Sequence, residues 1–146
     1  IAFSHHHKAV VENTVTGKRL CCCVYENEGL IAVSEIGETA PVESTIDRLN
    51  NYIGRTSKFI APADIPEDIA EKIKATAERT FRVMDCRGFA VIDFILADDG
   101  RLYCTKVSTV PGFNEESILS VLLSTNGLTY PQILEIMINN ALESKA

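Results

Sequence analysis

Gly88-Phe89-Ala90-Val91-Ile92-Asp93-Phe94-Ile95-Leu96-Ala97, then Asp98-Asp99-Gly100, then Arg101-Leu102-Tyr103-Cys104-Thr105-Lys106-Val107-Ser108 is the stretch on which the fold turns. Two β-rich runs flank Asp-Asp-Gly, the turn chemistry of a tight hairpin. With Asp99 and Gly100 as the central turn residues, Asp98 faces Arg101 and the pairing places Asp93 opposite Lys106, to within one residue of register. Side chains on a strand alternate faces, so Cys104, Lys106 and Ser108 are expected on one side. Thr109-Val110-Pro111-Gly112-Phe113 then stops the strand.

Downstream, the pattern predicts a helix from Glu115 to about Ser124, ended by Asn126-Gly127. A second runs from Tyr130 or Pro131 to about Glu143 and carries Ile133, Leu134, Ile136, Met137, Ile138 and Leu142. Upstream, Pro66-Glu67-Asp68 opens a helix to about Asp85, with proline in the first turn and acids at the positive end of the dipole. Ile69, Ile73, Ala77 and Phe81 recur every fourth residue, with Ala70 and Met84 beside them; Glu71, Lys72, Lys74 and Glu78 take the other side. Before that, residues 9–12, 19–25 and 29–33 read as an antiparallel meander, and the polar stretch from Gly37 to Ser57 as a long loop suited to covering a site. The order βββ, loop, α, ββ, αα predicts an α+β fold, an antiparallel sheet flanked by helices.

Composition narrows the function. A chain of 146 residues with 46% apolar content is one globular domain with a real core. Its net charge of −6 and lack of a basic run leave no footprint for nucleic acid. No apolar run is long enough for a membrane span, and Ile1 to Lys8 lacks the order of a secretory signal. The expected location is cytoplasmic. Five cysteines are an odd number without metal-ligand spacing; Cys21, Cys22 and Cys23 alternate faces of a strand and read as reduced, packed thiols. His5-His6-His7 cannot all point at one ion from regular structure and read as solvated.

The residues that could carry chemistry lie around the hairpin. An Asp beside a Lys, with Ser108 one pleat further on, could hold an anion or a metal-bound phosphate; the plainer reading is a cross-strand ion pair. The turn from Thr109 to Ser117 leads into a helix start, where backbone N–H groups and a hydroxyl can meet a carboxylate or phosphate, although Asn114 and Ser117 also suit ordinary capping. Glu12 and Asn13, just before the Thr16-Gly17-Lys18 turn, are placed to meet a flat heterocycle through the backbone.

Taken in order, these segments resemble the C-terminal half of the D-alanine–D-alanine ligase family of the ATP-grasp superfamily. Lys8-Ala9-Val10-Val11-Glu12 resembles the hinge strand and Val15-Thr16-Gly17-Lys18 the turn after it. Asp85-Cys86-Arg87-Gly88-Phe89-Ala90-Val91-Ile92-Asp93-Phe94 resembles the strand with a metal-binding aspartate, Thr109-Val110-Pro111-Gly112-Phe113 the most specific local motif, and Gly127-Leu128-Thr129-Tyr130-Pro131 the opening of the last helix. The resemblance implies a partial ATP-grasp domain over residues 1–146 and an ATP-dependent carboxylate–amine ligation in peptidoglycan precursor synthesis, with ATP and Mg²⁺ as cofactors and a D-amino acid as substrate. It assigns the adenine hinge to Glu12, Asn13 and Val15, a metal ligand to Asp93, substrate-carboxylate contact to Ser117 with Gly112 nearby, and the loop closing over phosphate to Tyr52. A homodimer is also implied, and with the family's N-terminal half absent from residues 1–146 the expectation is either a fragment of a longer protein or a chain that needs a partner to complete the site.

Departures from the family pattern fall on chemistry. Its glutamate and asparagine metal ligands on the second hairpin strand are here Lys106 and Ser108; the arginine two residues before the aspartate is Val91. The ribose-binding glutamate is Arg19, and the lysine before the loop tyrosine is Asn51. Lys106 is left to contact phosphate directly, and the site is expected to be inactive or weakened. The alternative is a non-catalytic binding or scaffolding module that keeps the ligase fold.

Overall fold

The computed structural model describes residues 7–11, 13–39 and 59–143. Among the described residues nine elements follow one another: β1 (Gly17–Asn27), β2 (Leu30–Val33), β3 (Gly37–Thr39), β4 (Phe59–Ile60), α1 (Glu67–Val83), β5 (Phe89–Ala97), β6 (Leu102–Ser108), α2 (Ile118–Ser124) and α3 (Tyr130–Glu143). All strand pairs are antiparallel, in the order β4-β3-β1-β5-β6, with β2 also on β1. The expected α+β sheet flanked by helices is therefore present. The first expected strand is not: residues 9–11 form no strand, and β1 instead begins at Gly17.

β1 and β5 form the spine, paired continuously from Gly17↔Ala97 to Tyr25↔Phe89. A Cβ at Gly17 would fall on the Leu96 carbonyl oxygen, and its φ of +152° is one that only glycine adopts readily. On its other edge β1 changes partner, from β2 at residues 24–27 to β3 at residues 19–21. Ser34 fills the gap: its N–H donates to the Cys23 carbonyl (2.8 Å) and its Oγ accepts from the Cys23 N–H (2.9 Å). This fully buried serine completes the ladder where strand pairing stops.

Period two along these strands divides the core. Leu20, Cys22, Val24, Ala90, Ile92 and Phe94 face α1, which presents Ala70, Ile73, Ala77 and Phe81. Cys21, Cys23, Tyr25, Phe89 and Val91 face α2 and α3, which supply Leu119, Leu122, Leu123, Ile133 and Ile136. The three adjacent cysteines thus serve opposite cores, and all five cysteines are free thiols. The α1 stripe is as its spacing predicts, except that Met84 is exposed beyond the helix end. Pro66 is the N-cap, its carbonyl accepting from Ile69 and Ala70.

Candidate functional site

The hairpin carries a correction and a confirmation. Its loop has three residues: Ala97 N–H donates to the Arg101 carbonyl (2.9 Å), Gly100 N–H donates to the Ala97 carbonyl (2.9 Å), and Gly100 takes φ +80°. Ala97, not Asp98, is therefore opposite Arg101, and Leu96 pairs with Leu102. Further along, the ladder slips by one residue between Asp93 and Phe94, so Thr105 stands between the partners of those two. The two offsets cancel, and Asp93 does pair with Lys106. Cys104, however, pairs with Phe94 and turns to the α1 face, while Lys106 and Ser108 turn to the other. The expectation that all three share one face fails because the bulge reverses the alternation. Thr105 Oγ1 donates to the Asp93 carbonyl (3.2 Å) and pins it.

The face so populated is the one that α2 and α3 cover only in part. Beyond Cys21 and Val91 it continues as Arg19 on β1, Asp93 on β5 and Lys106 on β6, with Arg19 and Lys106 exposed. Asp93 and Lys106 attract each other, but no ion pair within 4 Å joins them among the described residues. Burial raises the Asp93 carboxyl above the usual carboxylate range, and the Lys106 ammonium pulls it partly back. The neighbouring Cys21 thiol is pushed up to about 12 by burial and by the Asp93 charge, so it stays protonated and is no nucleophile near neutral pH.

Strand direction orders the remaining candidates along this face. Asn13, exposed, and Val15, half-buried, precede β1 at the hairpin end of the sheet, where Thr16 Oγ1 lies 3.5 Å from Asp98 Oδ2. Gly112 and Ser117 follow β6 at the opposite end and come together: a Cβ on Gly112 would sit 3.6 Å from Ser117 Cβ. Glu12 and Tyr52 lie outside the described residues, as do Asn51 and the rest of the expected covering loop beyond Thr39.

Ser117 is the N-cap of α2, which begins at Ile118 and not at Glu115, because a turn from Asn114 intervenes. Its Oγ accepts from Ser120 N–H (3.2 Å) and lies 3.0 Å from Ser120 Oγ. Ser120 Oγ donates to the Asn114 carbonyl (2.8 Å), so the Ser117 proton must go to Ser120 Oγ. In this arrangement Ser117 offers a carboxylate no proton; to do so, its hydroxyl must rotate away from Ser120.

The donor set around Asp93 does not fit Mg²⁺ ions clamped between carboxylates. Mg²⁺ needs oxygen ligands in near-octahedral array. Asp93 is faced by an ammonium, which has no lone pair, and the described residues hold no group of three or more His, Cys, Asp or Glu placed to bind a metal. A groove of about 690 Å³, lined by Glu26, Arg87, Phe89, Phe113 and Asn140 among others, lies where β5 begins and contains none of the candidate residues. No helix of the described residues is long and apolar enough to cross a membrane.

Sequence reasoning missed the bulge at Thr105, although a signal was present. Leu102 and Cys104 keep one phase of alternation and Val107 breaks it, as a one-residue insertion requires.

Comparison with known proteins agrees with this architecture. The family model described as D-ala D-ala ligase C-terminus matches residues 1–139. The D-alanine–D-alanine ligase of Acetivibrio thermocellus is 33% identical over 143 residues, which are 97% of this chain and 38% of that protein. The solved D-alanyl-alanine synthetase A of Vibrio cholerae superposes with a TM-score of 0.77 at 27% identity, covering 90% of this chain and 40% of that one. The Bacillus anthracis D-alanine–D-alanine ligase, solved in complex with ATP, superposes at 0.74 over 91% of this chain and 40% of its own; at 17% identity that likeness speaks for the fold. The chain thus spans about two fifths of the length of these relatives, and it belongs to the D-alanine–D-alanine ligase family, whose C-terminal part it matches.

Proposed function

We propose that this chain is the C-terminal portion of an ATP-grasp D-alanine–D-alanine ligase-like protein, supplying one side of a cleft for nucleotide and D-amino acid, with its ligation chemistry inactive or weakened. The order of residues along the open sheet face supports the reading. Asn13 and Val15 stand at one end, where an adenine would lie; Arg19, Asp93 and Lys106 in the middle, at the height of the phosphates; and Gly112 with Ser117 at the other end, for a substrate carboxylate. Glu12 would join the hinge and Tyr52 the covering loop.

The observation that carries the reduced activity is Lys106 facing Asp93. Activation of a carboxylate by phosphorylation needs the transferring phosphoryl group held in line and its charge neutralised. A lysine supplies charge but not the rigid clamp of a shared cation. With Val91 buried in the α2/α3 core, no cation stands at the position two residues before Asp93 to meet the developing oxyanion.

The test is calorimetric titration with ATP, with and without Mg²⁺, alongside D-alanine-dependent phosphate release. ATP binding with phosphate release far below that of a complete ligase is the expected result. Brisk D-alanine-dependent turnover would overturn the loss of activity, and absence of ATP binding the nucleotide reading. A non-catalytic binding module is the second reading, favoured by two intact cores beneath an altered polar row. It predicts partner affinity that is unchanged by Asp93→Ala.

A further inference from the structure

The row on the open face has the wrong charge for a cation and the right one for an anion. Asp93 contributes one negative charge; Arg19 and Lys106 contribute two positive ones. Cys21, Asp93 and Lys106 share a rung, and Arg19 sits two residues before Cys21, hence on the same face and diagonally across from Asp93. Diagonal neighbours of this kind are about 7–8 Å apart, within reach of long side chains. Ser108, opposite Val91, extends the row with a hydroxyl. Five cations on the described surface are engaged in ion pairs: Lys18 with Glu38, Lys74 with Glu35, Arg82 with Glu78, Arg87 with Glu26 and Asp85, and Arg101 with Asp99. Arg19 and Lys106 make no such ion pair with a described residue, and both are exposed.

The bulge makes this arrangement specific. Were Thr105 paired regularly with Asp93, the register of the hairpin loop would carry on and set Lys106 opposite Ile92, turned toward α1. The backbone irregularity therefore brings the ammonium onto the same face as Arg19.

We propose that Arg19 and Lys106 bind a polyphosphate chain directly, with Asp93 holding the two cations in balance and no divalent cation required. This rests on the reading of the face as half of a nucleotide cleft and deepens it. Guanidinium forks a pair of phosphate oxygens and ammonium acts as a point charge, so the two together span a chain of linked phosphates. Mg²⁺ in solution competes, because it neutralises the ligand that the cations recognise and finds few ligands on the protein.

The experiment titrates the full chain with inorganic tripolyphosphate and with ATP, once in EDTA and once in excess Mg²⁺. Tripolyphosphate is expected to bind in EDTA at least as tightly as in Mg²⁺, with affinity falling as salt rises. Arg19→Glu and Lys106→Glu, both at exposed positions and checked for an unchanged thermal melt, are each expected to weaken it roughly tenfold in EDTA. Binding that requires Mg²⁺, or that ignores Lys106→Glu, overturns the inference. ATP bound only with Mg²⁺, and no tripolyphosphate in EDTA, removes the metal-free site and leaves the ligase reading standing. Tripolyphosphate bound in EDTA with ATP no tighter does the reverse, and no binding by either removes both.

Discussion

Asp93 and Lys106 face each other across β5 and β6 through two compensating irregularities, a three-residue hairpin loop at Asp98–Gly100 and the bulged Thr105. A regular two-residue hairpin would give the same pairing at this rung but a different face for Cys104.

Deleting Thr105 makes the bulge testable. Lys106 would then follow Cys104 directly, so the ladder runs without a slip while Lys106 still pairs with Asp93, Val107 with Ile92 and Ser108 with Val91. With every side chain kept on its face, the deletion should change stability by no more than about 1 kcal/mol, measured by urea denaturation. A loss of about 3 kcal/mol or more would show that the pairing of Asp93 with Lys106 depends on the bulge itself.

Asp93 predicts a pH dependence of defined sign. Its carboxyl is raised above the ordinary 3.8, chiefly by burial. A carboxyl with a higher pKa in the fold than in the unfolded chain favours folding when protonated. That contribution is full below the ordinary value and is lost as pH rises through the folded value. Asp93→Asn cannot ionise, so its melting temperature should exceed the parent's at about pH 7 and converge with it at about pH 3. A gap that persists at the lower pH would trace instead to packing.

The cysteines differ in access. Cys21, Cys22, Cys23 and Cys86 are buried and Cys104 is exposed. Ellman's reagent should therefore titrate one thiol per native chain and five after denaturation. Burial also raises Cys22 and Cys23, so neither competes as a thiolate. Fast reaction of more than one native thiol would contradict the placement of β1.

Ser117 has two separable roles. Ser117→Ala removes the cap of α2 and should cost about 1 kcal/mol. Ser117→Asp keeps an acceptor for Ser120 N–H and so retains most of the stability, yet it places a negative charge where a substrate carboxylate would arrive. Equal D-alanine affinity in parent and Ser117→Asp, measured calorimetrically, would confine Ser117 to capping.

Strong periodicity was readable and weak edges were not. The α1 stripe at Ala70, Ile73, Ala77 and Phe81 declares itself by a single period, and the two hairpin strands by β-rich composition either side of Asp98-Asp99-Gly100. β3 and β4 have three and two residues, too short for any period to show, and they hold their places by pairing with β1 and with each other. Residues 9–11 have strand propensity yet no strand; no described residue pairs with them, and propensity alone does not suffice. The expected pairing of Asp93 with Lys106 holds although the two-residue turn behind it does not, because the bulge cancels the offset of the three-residue loop, and the same bulge decides the side to which Cys104 points.

β1, like its partner β5, feeds both cores with consecutive residues, Cys22 on one side and Cys21 and Cys23 on the other. Neither helical layer can detach without exposing apolar surface on the strand that anchors the opposite layer. Melting should accordingly be a single transition, with the backbone amides of residues 20–25 exchanging with solvent deuterons only through global opening. The rung at Cys21 and Asp93 belongs to that same slow-exchanging unit, so the polar row stands on the most rigid part of the molecule, ready to receive a ligand without prior rearrangement of its backbone.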